Sequence, residues 1–222
     1  MRKNQGLEPL HNVGWLSTQP ADFQQWAEQV GRWKTFEKGQ FVYHCGDPPD
    51  GIYGLGSGGL QITFPLVAEE PVVLYRAEPG FWIGDAAELS DEPRFVTLMA
   101  ASPSRLFHIS STAIKILLAN SPEHWRSFYR LSRMNVQLAI TLLAEVLSLT
   151  VRARTCRRLL ALSEGDQDAT VTQEELAKLL GVTRPTLRRC LTELEALKAI
   201  QTQYRKIHII DRDVLARFKD EQ

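Results

Sequence analysis

Thr172-Gln173-Glu174-Glu175-Leu176-Ala177-Lys178-Leu179-Leu180-Gly181-Val182-Thr183-Arg184-Pro185-Thr186-Leu187-Arg188-Arg189-Cys190-Leu191 carries the pattern of two short helices joined by a tight turn. Thr172 is placed to cap the first helix, and Glu175, three residues on, can return a hydrogen bond to the cap, completing a capping box. Leu176, Leu179 and Leu180 then face inward, while Ala177 is small enough to admit a second helix. Gly181 suits the turn because it adopts positive φ without steric cost, and Thr183 can cap the second helix. At about 100° per residue, Leu187, Cys190, Leu191 and Leu194 gather on one side of that helix. Arg184, Pro185, Arg188, Arg189 and Thr192 occupy the other. A planar guanidinium can donate two parallel hydrogen bonds to O6 and N7 of guanine, and the same fork fits phosphate. Glu/Lys pairs would serve a merely solvated face as well, so three arginines there point to DNA.

Two short apolar segments come next, Ala199 to Gln203 and Ile207 to Ile210, separated by Tyr204-Arg205-Lys206. The spacing predicts a β-hairpin wing whose basic tip touches the DNA backbone. Asp211 is placed to cap a closing helix containing Val214, Leu215 and Phe218. Charge follows the same division. Residues 1–120 hold 9 Lys/Arg against 13 Asp/Glu, and residues 121–222 hold 17 against 13, although the whole chain is balanced at 26 each. An excess of cations in the C-terminal half is what a polyanion-binding domain requires.

Upstream, Thr35 to about Ile109 reads as short strands: Phe41 to His44, Ile52 to Leu55, Leu60 to Phe64, Val72 to Arg76, Val96 to Ala100 and Arg105 to Ile109. Gly46-Asp47-Pro48-Pro49-Asp50-Gly51, Ser57-Gly58-Gly59 and Glu78-Pro79-Gly80 break them, which predicts a small β-barrel or roll. Pro20 to Trp33 is expected to form a helix packed on it through Phe23, Trp26 and Val30. Ser121-Pro122-Glu123 then signals a helix start, with a capping hydroxyl and Pro at the first helical position. On this helix Phe128, Ser132, Asn135, Ala139, Leu142, Val146 and Leu149 approximate a heptad seam, and Leu131, Leu138 and Leu143 lie off it. Two buried faces are expected, one on the chain's own β-domain and one on a second copy. The expected organisation is a sensory β-roll with its N-terminal helix over 1–120, a dimerisation helix over 121–150 and a DNA-binding domain over 151–222.

This order of β-roll, long helix and winged helix-turn-helix resembles the cyclic-AMP receptor and Fnr (Crp/Fnr) superfamily of bacterial transcription regulators, from about Phe36 to Phe218. Its most specific part is Thr172 to Leu197 with Ala199-Ile200, which resembles the family's Gln-Glu-x-[Leu/Ile]-Ala…Gly…[Ser/Thr]-Arg-x-Thr…Arg signature almost without gaps. The resemblance implies an α+β fold with an N-terminal jelly-roll-like β-roll, and places Arg184 and Arg189 on base-reading arginines and Thr186 on a helix-start hydroxyl. Pro185 stands where many relatives have Glu. It cannot accept from a cytosine amino group, so the half-site read should differ. The candidate DNA-binding residues are Thr172, Thr183, Arg184, Thr186, Arg188, Arg189, Arg205 and Lys206. The partners expected are a palindromic double-stranded operator, a second copy of the chain, RNA polymerase and a small-molecule effector of unstated identity.

Family members that bind cyclic nucleotides use a Gly-Glu-Leu segment and an Arg-Ser pair, the Glu accepting from ribose and the Arg pairing with the cyclic phosphate. Gly84-Asp85-Ala86 and Arg94-Phe95 stand here instead. Asp is a carbon shorter, Phe95 replaces a hydroxyl, and Ala139 and Ile140 fall where base-contacting hydroxyls would be. Gly84, Asp85 and Arg94 are therefore candidate pocket residues for an effector other than cyclic AMP, with an intradomain ion pair as the alternative role for Asp85 and Arg94. An iron–sulfur cluster needs four thiolates, whereas Cys45, Cys156 and Cys190 are only three. Haem has His44, Cys45 and His108 as nominal ligands, though strand His and Cys are usually structural; the cofactor is left unknown. No metalloprotease, phosphate-loop or nucleophile-elbow motif marks an enzyme. With no disulfide framework, no leader and no span of roughly 18 apolar residues, a cytoplasmic location without membrane contact is expected.

Overall fold

The computed structural model describes residues 7–65, 71–163 and 168–222. It divides into two compact units, Met1–Gln137 and Leu138–Gln222.

In the first unit, α1 (Gly14–Ser17) and α2 (Ala21–Val30) precede β1 (Arg32–Phe36), β2 (Phe41–Tyr43), β3 (Gly51–Ser57), β4 (Leu60–Phe64), β5 (Val72–Ala77) and β6 (Trp82–Ile83). Then come α3 (Asp85–Ser90), β7 (Thr97–Ala100), β8 (Ser104–Ser110), α4 (Ser111–Asn120), a 3-10 turn at Pro122–His124, and α5 (Trp125–Ser148), whose residues from Leu138 on are counted with the second unit. Two antiparallel four-stranded sheets, ordered β1-β8-β3-β6 and β2-β7-β4-β5, make the expected roll. Tyr43, Tyr53, Leu55, Leu60, Ile62, Leu98 and Leu106, drawn from both sheets, form one core. A second core lies on the outer face of the first sheet, where Ile52, Trp82, Phe107 and Ile109 meet Trp15, Leu16, Phe23, Ile114, Leu117, Phe128 and Leu131 of the helices. β3 is consequently covered on both faces, which is why it reads as a continuous apolar run rather than an alternating one. Gly54 is required within it: a Cβ there would lie 2.5 Å from the Trp82 ring.

Three expectations are corrected. The N-terminal helix stops at Val30, not Trp33, because Gly31 takes an extended conformation and the next five residues pair with β8 from Arg32↔His108 onward. Ser121 makes no side-chain cap; Pro122 instead opens a 3-10 turn that leads into α5 at Trp125. The first half of the expected seam on α5 turns into the chain's own unit, while Ala139 and Val146 further along it stay exposed. Phe128 and Leu131 are buried in the helical core, and Ser132 and Asn135 bond to Asp85 of the same unit. Among the apolar residues left on the surface, Tyr129, Val136, Ile140, Leu143 and Leu147 are each more than half exposed, as is Val146 of the expected seam. Their spacing is itself that of a heptad stripe.

In the second unit, α6 (Val151–Leu162), β9 (Asp168–Ala169), α7 (Gln173–Leu180), α8 (Arg184–Ala196), β10 (Ile200–Gln203), β11 (Lys206–Ile209) and α9 (Arg212–Phe218) surround a single core. Leu159, Leu176, Leu180, Leu187, Leu191, Leu194, Ile200, Ile207, Ile209 and Leu215 are its large members. Cys156 and Cys190 pack there as small apolar groups, with burial pushing the Cys156 thiol up to about 12. The expected hairpin is present, and β9 adds an unanticipated third strand in the order β10-β11-β9. Asp211 caps α9 by accepting from the Asp213 and Val214 amides, as expected.

Candidate DNA interface and effector pocket

The helix-turn-helix forms through the local chemistry read from its sequence. Thr172 Oγ1 accepts from the Glu175 amide at 3.1 Å, and Glu175 Oε2 accepts from the Thr172 amide at 2.9 Å, so both arms of the capping box are made. Gly181 closes α7 at φ 63°, and Thr183 caps α8 by accepting from the Thr186 amide. The Thr183 and Thr186 hydroxyls also meet at 2.9 Å. Leu187, Cys190, Leu191 and Leu194 turn into the core. Arg184, Arg188 and Arg189 are exposed on the opposite side.

The three arginines are not equivalent. Arg184 is ion-paired with Glu174 on α7, which also attracts Lys178 at 3.7 Å. Among the described residues neither Arg188 nor Arg189 has an acidic partner. Arg189 opens onto a cleft of about 470 Å³ shared with Thr150, Arg152, Thr186, Glu193 and Glu221. Arg152 in that cleft is already held by Glu221 and, at 3.7 Å, by Glu193.

The wing tip also separates its two cations. Gln203 pairs with Lys206, leaving Tyr204 and Arg205 as the turn. Arg205 sits at φ 60°, in the left-handed region that costs an L-residue roughly 1–2 kcal/mol and that Gly or Asn usually fills. Lys206, expected beside it, instead pairs with Asp168 at 2.7 Å, and His208 reaches the other oxygen of the same carboxylate at 2.8 Å. Its charge is therefore partly spent on joining β11 to β9.

In the roll, the structure brings Gly84, Asp85 and Arg94 together and ties each to protein. Arg94 is 2% exposed, donates from Nη1 to the Gly84 carbonyl at 3.0 Å, and from Nη2 to the Gly51 carbonyl at 2.7 Å and Asp50 Oδ1 at 2.8 Å. Its guanidinium lies 4.4 Å from the Tyr43 ring centroid, and its buried Nε finds no acceptor among the described residues. The intradomain ion pair is thus real, but its partner is Asp50 and not Asp85. Asp85 is 3% exposed and accepts from Ser132 Oγ at 2.6 Å and Asn135 Nδ2 at 2.7 Å, both on α5. Nothing in the sequence marked Asp50, Ser132 or Asn135 as belonging to this cluster, since their partners lie 44 to 50 residues away. Of the nominal haem ligands, His44 lies tilted against Phe41 and His108 stacks on Tyr53, and no group of three or more His, Cys, Asp or Glu side chains placed to hold a metal ion forms among the described residues.

Burial raises the Asp85 carboxyl above its ordinary value of 3.8, with the Ser132 and Asn135 hydrogen bonds opposing the shift. The folded state therefore holds the Asp85 proton more tightly than the unfolded one. Its contribution to stability is full below that ordinary value and is lost as pH rises through the folded pKa. Asp85→Asn removes this loss. The melting temperature of the variant relative to wild type should therefore climb from about pH 4 towards neutrality; a difference that stays flat with pH would contradict the burial argument.

A β-roll of this topology followed by a winged helix-turn-helix defines a class of DNA-binding transcription regulators. Residues 33–121 match the cyclic nucleotide-binding domain model, and residues 153–218 match the Crp-like helix-turn-helix domain model. This chain belongs to the Crp/Fnr family of transcription regulators. It is 24% identical over 191 residues to the CRP-like cAMP-activated global transcriptional regulator of Mycobacterium tuberculosis, covering 82% of this chain and 85% of that protein. It is 27% identical over 180 residues to the HTH-type transcriptional regulator Cmr of the same organism, covering 81% and 72%. A CRP/FNR-family regulator from Thermus thermophilus shares the fold with a TM-score of 0.72 at 20% identity, over 86% of this chain and 99% of that one. No helix among the described residues is long and apolar enough to cross a membrane.

Proposed function

We propose that this chain acts as a homodimer that reads an inverted DNA repeat through α8, with Arg184, Arg188 and Arg189 facing the bases and Arg205 on the backbone. The observation that carries this reading is the exposed arginine face of α8, which opens directly after a capped tight turn. Thr172, Thr183 and Thr186 serve as helix-start hydroxyls beside the phosphates, and Lys206 is a weaker contributor because Asp168 holds it. A two-fold dimer places its reading helices on half-sites about one helical turn apart. The dimer surface is the stripe of Tyr129, Val136, Ile140, Leu143 and Leu147, which as a lone exposed patch would be an aggregation hazard. RNA polymerase is the expected downstream partner, and cyclic AMP is not the effector. Arg94 is committed to Asp50, and Phe95, Ala139 and Ile140 supply no polar group.

The test is a binding-site selection on the purified chain combined with light scattering of wild type and Leu143→Glu. Wild type should be a dimer at micromolar concentration and select an inverted repeat. Leu143→Glu places two carboxylates at a closed apolar seam, so it should be monomeric and lose operator affinity. Selection of no inverted repeat, or a wild-type monomer, would overturn the reading.

A further inference from the structure

We infer that Asp50 is a tethered anion that fills the anion-binding position of the roll, so that Arg94 is neutralised from within the chain and the roll works without an anionic effector. The inference goes beyond the DNA-reading proposal and rests on the geometry of the roll alone.

Asp50 stands at the end of the Pro48-Pro49 turn, just before β3, with its side chain half exposed. One oxygen takes Arg94 Nη2 at 2.8 Å, and the other takes the Tyr53 hydroxyl at 2.6 Å, with His108 Nε2 at 3.5 Å and Lys34 Nζ at 4.0 Å. A carboxylate so surrounded is held below its ordinary range by these neighbours in spite of its burial. Its backbone is fixed as well: the Asp50 carbonyl accepts from the Ser111 amide at 3.0 Å, and the Arg94 amide donates to the Asp47 carbonyl at 2.8 Å. Gly84 makes room for the arrangement. A Cβ at that position would fall 2.6 Å from Arg94 Nη1 and 2.9 Å from the Gly51 carbonyl, so the guanidinium can close onto backbone only over glycine.

Asp85 closes the other half of the site in the same manner. Each of its oxygens already accepts from Ser132 or Asn135, and at 3% exposure the carboxylate offers little surface to an incoming hydroxyl. A diffusible anion must therefore displace an intramolecular carboxylate that is always present, and its apparent affinity falls by the fraction of time Arg94 is free.

The experiment uses the full chain without DNA, so its outcome is separable from whether the operator reading is right. Cyclic AMP and inorganic phosphate are the probes, read by calorimetry and by thermal shift. Wild type should show no heat of binding and no shift with either. Asp50→Asn keeps the shape and removes the charge, so it should be stabilised by phosphate and bind it at least about tenfold more tightly than wild type. Adding Arg94→Gln to that variant should abolish the gain. Asp50→Asn that folds only when phosphate is supplied would support the assignment equally. Binding of either probe by wild type in a way that Arg94→Gln removes would overturn it. So would an Asp50→Asn chain, folded or not, that phosphate leaves unchanged.

Discussion

Arg189→Ala should lower affinity for the selected operator by about 1–3 kcal/mol per half-site, roughly 5- to 150-fold, and relax preference at one base pair. Arg189 is exposed on the outer face of α8 and has no acidic partner among the described residues, so no internal bond must be broken before it donates to a base. Arg184 differs, because it must exchange the Glu174 carboxylate for its DNA contact. Its removal frees Glu174 to repel phosphate but forfeits less net attraction, so Arg184→Ala should be the milder of the two. Arg205→Ala provides the contrast. A cation at the wing tip neutralises one phosphate, so its loss should weaken all DNA alike and reduce the slope of log K against log salt by about one per half-site. Titrations of wild type and the three variants at two salt concentrations, on operator and on scrambled DNA, separate these outcomes. Should Arg189→Ala weaken both DNAs equally, its base-reading role is wrong.

Phe128→Ala should destabilise the N-terminal unit by about 3–5 kcal/mol, a large share of the roughly 5–15 kcal/mol that holds a typical domain. Phe128 is fully buried, with its ring centroid 5.5 Å from Phe23, 5.9 Å from Trp15 and 6.4 Å from Trp26. The Trp15 indole also donates to the Ser127 carbonyl at 2.7 Å. The first turns of α5 are therefore part of the roll's core, and truncation leaves a cavity among rigid rings that cannot collapse into it. All five tryptophans precede residue 126, so fluorescence-monitored urea unfolding reports this unit selectively. Phe128→Leu should cost less, since it retains most of the volume. An unchanged midpoint in Phe128→Ala would mean that α5 does not dock as described.

The two large effects differ in how far the sequence anticipates them. The capping box of Thr172 and Glu175, the positive φ of Gly181 and the cap at Thr183 all act within three or four residues, so the residues concerned report them without knowledge of the fold. The strand β4, bounded as expected at Leu60–Phe64, arises likewise from short-range patterning between turn residues. The outward arginines of α8 needed only the helical period.

Other features depend on partners brought from far along the chain. β1 shows no clean alternation of burial, and β6 is two residues long, so each exists as a strand because β8 and β3 offer it a ladder. Which face of α5 is buried was not decided by its apolar period, since that helix carries two apolar stripes. Trp15, Phe23 and the Asp85 carboxylate select the one holding Phe128, Ser132 and Asn135. The same holds for charge. Sequence pattern marked Arg94 as a pocket residue or a member of an ion pair with Asp85, and Lys206 as a wing-tip cation, but folding sets Asp50 against the first across 44 residues and Asp168 against the second across 38. An ion pair is settled by which groups the tertiary structure brings within about 4 Å, a separation that neither residue's neighbours in the chain determine.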